Sequence, residues 1–114
     1  MVSQLSKIDL SQISGIGPYD KRTESEKTNS TPPSSRTIFT PKNCAHPFLI
    51  LHEHTLELRS DQKLGQLLIQ KYESVMRSRY FGKQGIEIVP SGQLTPEELS
   101  DLIRLSYNLS LELS

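Results

Sequence analysis

The only cysteine and all three histidines of this 114-residue chain fall within eleven residues, as Cys44, His46, His52 and His54 of CAHPFLILHEH. Thiolate and imidazole are borderline-soft donors, and a Cys/His set is what a tetrahedral zinc ion takes. If the segment from Phe48 runs as one strand, His52 and His54 share a face, and Cys44 and His46 swing in to complete the set. The spacing matches no established zinc module, and Pro47 with four bulky apolar residues separates the two halves. A zinc-stabilised module is therefore an alternative, set against two half-exposed strand histidines and a buried or idle thiol. Nucleophilic catalysis has less support. Cys44 and His46 stand two apart on a loop, with no third group to orient the imidazole. Glu53 and Glu57 fall on the solvent-type side of the strand pattern, and no glycine-rich phosphate loop follows a strand. No catalytic residue and no cofactor is expected, and the chain reads as non-catalytic.

A second set mixes basic and aromatic side chains: Tyr72, Arg77, Arg79, Tyr80, Phe81 and Lys83. Arginines on phosphate and rings on bases would suit a nucleic-acid backbone, which makes Arg77, Arg79 and Lys83 the residues of an alternative, nucleic-acid-binding reading. Their positioning element is the stretch Ser60 to Gly82, which reads as one long amphipathic helix. Leu64, Leu67, Leu68, Tyr72, Val75, Met76 and Tyr80 recur at the i, i+3, i+4 spacing of a single stripe. Ser60 is the expected N-cap and Gly82 the C-terminal stop, with the arginines at the negative pole. On that reading the two tyrosines belong to the stripe, and the cations find partners in Glu97, Glu98 and Asp101.

Thr95-Pro96-Glu97-Glu98 is the sharpest local signal. A Thr N-cap, Pro at the first helical position and Glu at the third make a capping box. The helix it opens carries Leu99, Leu102, Ile103 and Ser106 on one face and is expected to reach about residue 112, although Leu105, Tyr107, Leu109, Leu111 and Leu113 also alternate as a strand would. Leu105, Leu109 and Leu113 form a second apolar face. Apolar residues on two faces of a helix in so short a chain imply that another molecule covers one of them. These three leucines are the expected contact residues for another protein or for a second copy of the chain.

Before the central helix, Phe48 to Arg59 alternates apolar and polar residues, as one long strand or as two short ones turning near Glu53-His54. No Gly or Asn marks that turn, which favours the single strand. Gly85 to Val89 reads as a short strand stopped by Pro90. The order strand, helix, strand, helix predicts a small α+β domain over residues 45–114. Residues 1–44 read as a disordered tail and linker. Residues 19–43 are nearly all polar, with three prolines, and bury too little to offset chain entropy. The Ile38-Phe39 pair inside them reads as incidental. Leu5, Ile8, Leu10, Ile13 and Ile16 make one weak apolar face at the start.

Within that start, Leu10-Ser-Gln-Ile13-Ser-Gly15-Ile16-Gly17-Pro18 resembles the hairpin of the helix-hairpin-helix DNA-binding motif, whose Gly-apolar-Gly turn offers N–H groups to a phosphate. The likeness spans about nine residues. The second helix that the motif implies needs apolar packing residues, and Asp20 to Asn29 supplies none, so a plain turn ending a weak helix is expected.

Charge divides by segment rather than in total. Residues 1–44 and 45–84 each hold six Lys/Arg and four Asp/Glu, net +2 apiece, whereas 85–114 holds one and five, net −4, for a total of zero. Such a dipolar chain argues against general nucleic-acid or membrane affinity and for basic and acidic helices set against one another or against a second copy. A single cysteine allows no intramolecular disulfide, the start has no apolar core of signal-peptide length, and the longest apolar run, Phe48 to Leu51, is far short of a membrane span. A cytoplasmic, non-membrane protein is expected.

Overall fold

The computed structural model describes residues 10–25, 35–90 and 93–113. A 3₁₀ turn at Leu10–Gln12 leads into β1 (Tyr19–Ser25), β2 (Ser35–Pro41), β3 (Leu49–Leu51), β4 (Leu56–Arg59), α1 (Gln62–Lys71), β5 (Val75–Ser78), β6 (Gly82–Ile88) and α2 (Pro96–Glu112). Among the described residues the strands make one sheet in the order β1-β2-β3-β4-β6-β5, antiparallel at every step. The α+β class expected from the sequence is what the structure shows, with more strands.

Register sorts the side chains into two faces, because successive residues of a strand point opposite ways. On the front face, Phe39, Leu49, Leu58 and Ile86 pair across β2, β3, β4 and β6, and Leu51, Leu56, Ile88 and Val75 form a second row beside them. Both helices cover this face: α1 lies over β5 and β6, and α2 over β2, β3 and β4. Ile103 and Tyr107 of α2 join the front rows in one core, with Leu68 and Tyr72 packed against it. Phe48, fully buried, centres an aromatic group, with ring centroids 5.0 Å from Tyr107, 6.2 Å from Tyr19 and 6.4 Å from Phe39. The rear face carries a different row: Arg22, Ile38, Ile50, Glu57, Glu87 and Met76, one residue from each strand.

Three expectations need correcting. The central helix does not run from Ser60 to Gly82; Asp61 is the N-cap, accepting from Leu64 N at 2.9 Å, and the helix stops at Lys71. Ser74, Val75, Ser78 and Tyr80 are weak helix formers, and pairing Val75 with Ile88 buries Val75 in a way no longer helix would require. Gly82, at φ +62, opens β6 instead of closing a helix. Second, the segment 48–59 is a hairpin, β3 to β4, with His52 N donating to Thr55 O at 2.8 Å. Third, the boundary at residue 44 falls inside the sheet. β1 and β2 lie upstream of it, and Ile38 and Phe39 are buried members of β2. A polar composition misled because β1 is an edge strand, where charged side chains are the rule. The residues after the GIGP turn form β1 rather than the second helix of a helix-hairpin-helix, in line with the plain turn expected there.

Leu10 is buried in the core, with Ile13 and Ile16 packed on it, whereas Leu5 and Ile8 and the linker residues 26–34 lie outside the described residues. The strand expected at Gly85–Val89 is β6, which starts three residues earlier and ends at Ile88, and the capping box and the extent of α2 agree with expectation.

Candidate functional site

The rotation of α2 on the sheet is set by polar contacts as much as by apolar ones. Thr95 accepts from Glu98 N at 3.1 Å and the Glu98 carboxylate accepts from Thr95 N at 3.0 Å, so the capping box closes in both directions. Further along, Ser106 and Ser110, both fully buried, donate to the backbone carbonyls of Phe48 (2.6 Å) and Pro47 (2.9 Å). Ser106 also accepts from Arg59 N at 2.7 Å, and Tyr107 donates to Pro18 O at 2.9 Å. With Ile103, Ser106, Tyr107 and Ser110 turned inward, Leu105, Leu109 and Leu113 fall along the outer flank. Leu105 and Leu113 are 36% and 48% exposed, and Leu109 is half-buried.

α1 is oriented by Gly65. A Cβ there would stand 3.1 Å from Ser60 Oγ and 3.5 Å from Ile86 Cγ2, so the glycine lets the helix lie close on β6. Gly65 inward puts Leu67 outward, 63% exposed, the most open large apolar side chain among the described residues. At one end the two helices are bridged by Tyr72 Oη donating to Glu98 at 3.1 Å, a bond that helps hold the Glu98 carboxyl below its usual range after the Thr95 backbone contact. At the other end a cavity of about 210 Å³ opens between them, walled by Ser60, Asp61, Gln62, Leu109, Glu112 and Leu113. The three leucines singled out in the sequence thus share one helix flank and, through Leu109 and Leu113, a notch against the start of α1.

The basic trio is divided. Arg77 and Lys83 line a small crevice with Gln62, Gly65, Gln66 and Ile69 of α1, on the β5–β6 hairpin rather than on a helix. Arg79 is committed to Glu87, donating from Nε and Nη2 to its two carboxylate oxygens at 3.0 Å each. A continuous phosphate-facing row of all three does not form.

The Cys/His set is also divided. Cys44 Sγ sits 3.4 Å from Ser110 O and accepts from His46 N, on the α2 side. His52 is hydrogen-bonded through Nε2 to Glu57 on the rear face, and His54 is at the tip of the β3–β4 turn, 82% exposed. Among the described residues no three of Cys, His, Asp and Glu converge as a metal site. The hairpin separates the two histidines that one continuous strand would have kept together.

What sequence reasoning missed is the polar cluster on the rear face. Glu57, expected in solvent, is 1% exposed; Glu87, directly opposite it on β6, is 4% exposed. Glu57 accepts from His52, from Ser78 Oγ at 2.6 Å and from Tyr80 N at 2.8 Å. Burial pushes its carboxyl up, but those three bonds and the His52 charge outweigh it and hold the group down at about 2. Glu87 takes Arg79 and, at 2.7 Å, the Thr55 hydroxyl. Like charges opposite one another on neighbouring strands repel unless each is separately satisfied, which is the arrangement here. The signal was available: Leu-Glu-Leu at 56–58 and Ile-Glu-Ile at 86–88 each set one carboxylate between core residues.

The same contacts fold residues 79–81 back across the sheet. Tyr80 reaches Glu57 through its backbone, and its ring meets the Arg36 guanidinium of β2 at 5.5 Å. Gly85 makes room, since a Cβ there would meet Phe81 Cβ at 2.4 Å and Leu58 O at 2.7 Å. Ser78, Glu57 and His52 resemble nucleophile components in type but not in order. The Ser78 proton goes to the carboxylate rather than to the imidazole, and Ser78 Oγ itself accepts from Phe81 N at 2.8 Å. That geometry ties down a turn.

No family model, curated protein or solved structure matches this chain. Among the described residues no helix is long and apolar enough to cross a membrane.

Proposed function

We propose that this protein is a non-catalytic binding module of regulatory or adaptor type, acting in the cytoplasm, which engages an apolar segment of a protein through the outer flanks of α1 and α2. The observation that carries the reading is the leucine flank of Leu105, Leu109 and Leu113, with Leu67 on the neighbouring helix. Leu67, Leu105 and Leu113 stand exposed and Leu109 half-buried, on helices whose opposite faces are already anchored in the core. Clustered exposed leucines cost solvation in an isolated chain, and a partner that covers them recovers it. The 210 Å³ notch at Leu109 and Leu113 is large enough to take one apolar side chain. The chain's single cysteine accords with a reducing compartment.

Selection from a displayed random-peptide library on the immobilised full chain tests this. Amphipathic, apolar-rich peptides should enrich on the wild type and be lost on the Leu105→Arg/Leu109→Arg variant. Failure of any peptide to enrich, or equal binding to the variant, would overturn the reading.

A further inference from the structure

We infer that the partner of the leucine flanks is a second copy of this chain, in a two-fold dimer in which α1 of each copy lies on α2 of the other; the inference rests on those flanks being a binding surface.

Charge carries the argument. On α1, Lys63, Leu67 and Lys71 recur every four residues and so form one outward row, and α1 contains no acidic residue between Gln62 and Lys71. On α2 the outward row is Asp101, Leu105, Leu109 and Glu112, at spacings of four, four and three. Each helix therefore presents leucine between charges of one sign, and the sign is opposite on the two helices. Among the described residues Lys63, Lys71 and Glu112 make no ion pair; Lys71 Nζ rests 5.3 Å from the Tyr72 ring, and Asp101 is met by Arg104 at 2.7 Å, leaving 71% of its side chain exposed.

Within one copy Lys71 acts on Glu98 at the start of α2, but among the described residues neither row makes an ion pair with the other. A two-fold axis lying between two helix layers solves this. It places the Lys-Leu-Lys row of each copy on the Asp-Leu-Leu-Glu row of the other, and one rotation makes both contacts at once, as a self-complementary interface requires. Leu67 then sits against Leu105 and Leu109, with the ion pairs at the rim. The competing registers set lysines on lysines or carboxylates on carboxylates, so the charges exclude them.

Sedimentation equilibrium of the full chain tests this, at concentrations up to roughly 100 μM, above the micromolar constants that suit a small interface. The wild type should reach twice the 12.9 kDa of one chain, less readily at high salt. Lys63→Glu/Lys71→Glu alone and Asp101→Lys/Glu112→Lys alone should each stay monomeric, with self-association weakened at least about tenfold. Their equimolar mixture should dimerise again, because both helix contacts are then complementary, and this recovery also shows that both variants are folded. A monomeric wild type, a dimer that survives in either variant, or a mixture that fails to recover would each overturn the dimer. If the wild type is monomeric while library peptides still require Leu105 and Leu109, the second copy is wrong and the binding module stands; if those peptides fail as well, both fall.

Discussion

The two faces of the sheet are both closed over their middle strands, but by opposite means. The front is closed by two helices over an aliphatic and aromatic core, and its stability follows from area removed from water. Among the described residues the rear has no helix. It is closed by the turn at residues 79–81, held down through two buried carboxylates and the His52, Ser78, Arg79 and Thr55 groups bonded to them. Apolar burial is tolerant of small shifts, whereas a buried carboxylate without its donors is severely penalised, so the rear face is more specific and more fragile to pH. The sheet thus has one face that sets how stable the fold is and another that sets how the β5–β6 hairpin must sit.

The largest effect should come from the front. Phe48→Ala empties the fully buried centre of the aromatic group and should cost about 3–5 kcal/mol, a large part of a typical domain's total. Urea unfolding at neutral pH would show it, and a loss below that of Glu57→Gln would break the claim that the front dominates.

Next comes the rear, where pH separates the two faces. The Glu57 carboxyl is lowered from 4.5 to about 2, so its contribution is full above the unfolded value near 4.5 and is lost as pH falls toward 2. At about 1.4 kcal/mol for each pH unit, that fall amounts to something on the order of 3 kcal/mol. Glu57→Gln should be weaker than the wild type near neutral pH and should lack this acid limb, and His52→Gln should move the limb to higher pH. Urea midpoints across that range decide it: parallel pH profiles for wild type and Glu57→Gln would mean that the cluster does not hold the turn.

The faces also differ in how far the sequence disclosed them. The capping box at Thr95 and Glu98 is local chemistry and disclosed where α2 begins, whereas the flank that faces outward is set by the long-range contacts of Ser106, Tyr107 and Ser110. The β5–β6 hairpin is not local. Tyr72, Val75, Met76 and Tyr80 keep helical spacing by coincidence; in the sheet Val75 joins the core while Tyr80 crosses the rear to Arg36. Only the pairing of Val75 with Ile88, thirteen residues on, breaks the helix. β1 and β2 were hidden for a related reason. A strand at an edge, paired on one side, keeps a polar composition that resembles a linker, and the apolar Ile38-Phe39 pair acquires meaning only opposite Ile50 and Leu49. The metal and nucleic-acid sets each assumed one continuous element where the chain turns back, and the turns divide both sets.

A smaller effect is expected at the rim of the rear face. Arg79→Ala removes the two bonds to Glu87 and leaves that buried carboxylate with Thr55 alone, but the arginine side chain is 62% exposed and water can replace part of what it gives. A cost of about 1–2 kcal/mol is expected, smaller than at Glu57. Hydrogen exchange should place the loss locally, in the amides of residues 79–84. Global loosening instead would mean that the rear network supports the whole sheet.

The smallest effect belongs to the flank proposed to bind, and its smallness is what matters. Ile103 and Leu105 are two residues apart on α2, yet one is 1% exposed and the other 36%. Ile103→Ala opens a cavity in the front core and should cost about 2–4 kcal/mol. Leu105→Arg, measured at a concentration too low for self-association, should change stability by no more than about 0.5 kcal/mol, since the side chain already reaches water and arginine keeps the helix. Raising the protein concentration should then separate the two chains further, the wild type gaining stability as copies associate and Leu105→Arg gaining none. A large loss for Leu105→Arg in the dilute chain would assign that leucine to the core of the single copy and leave α2 without a free face.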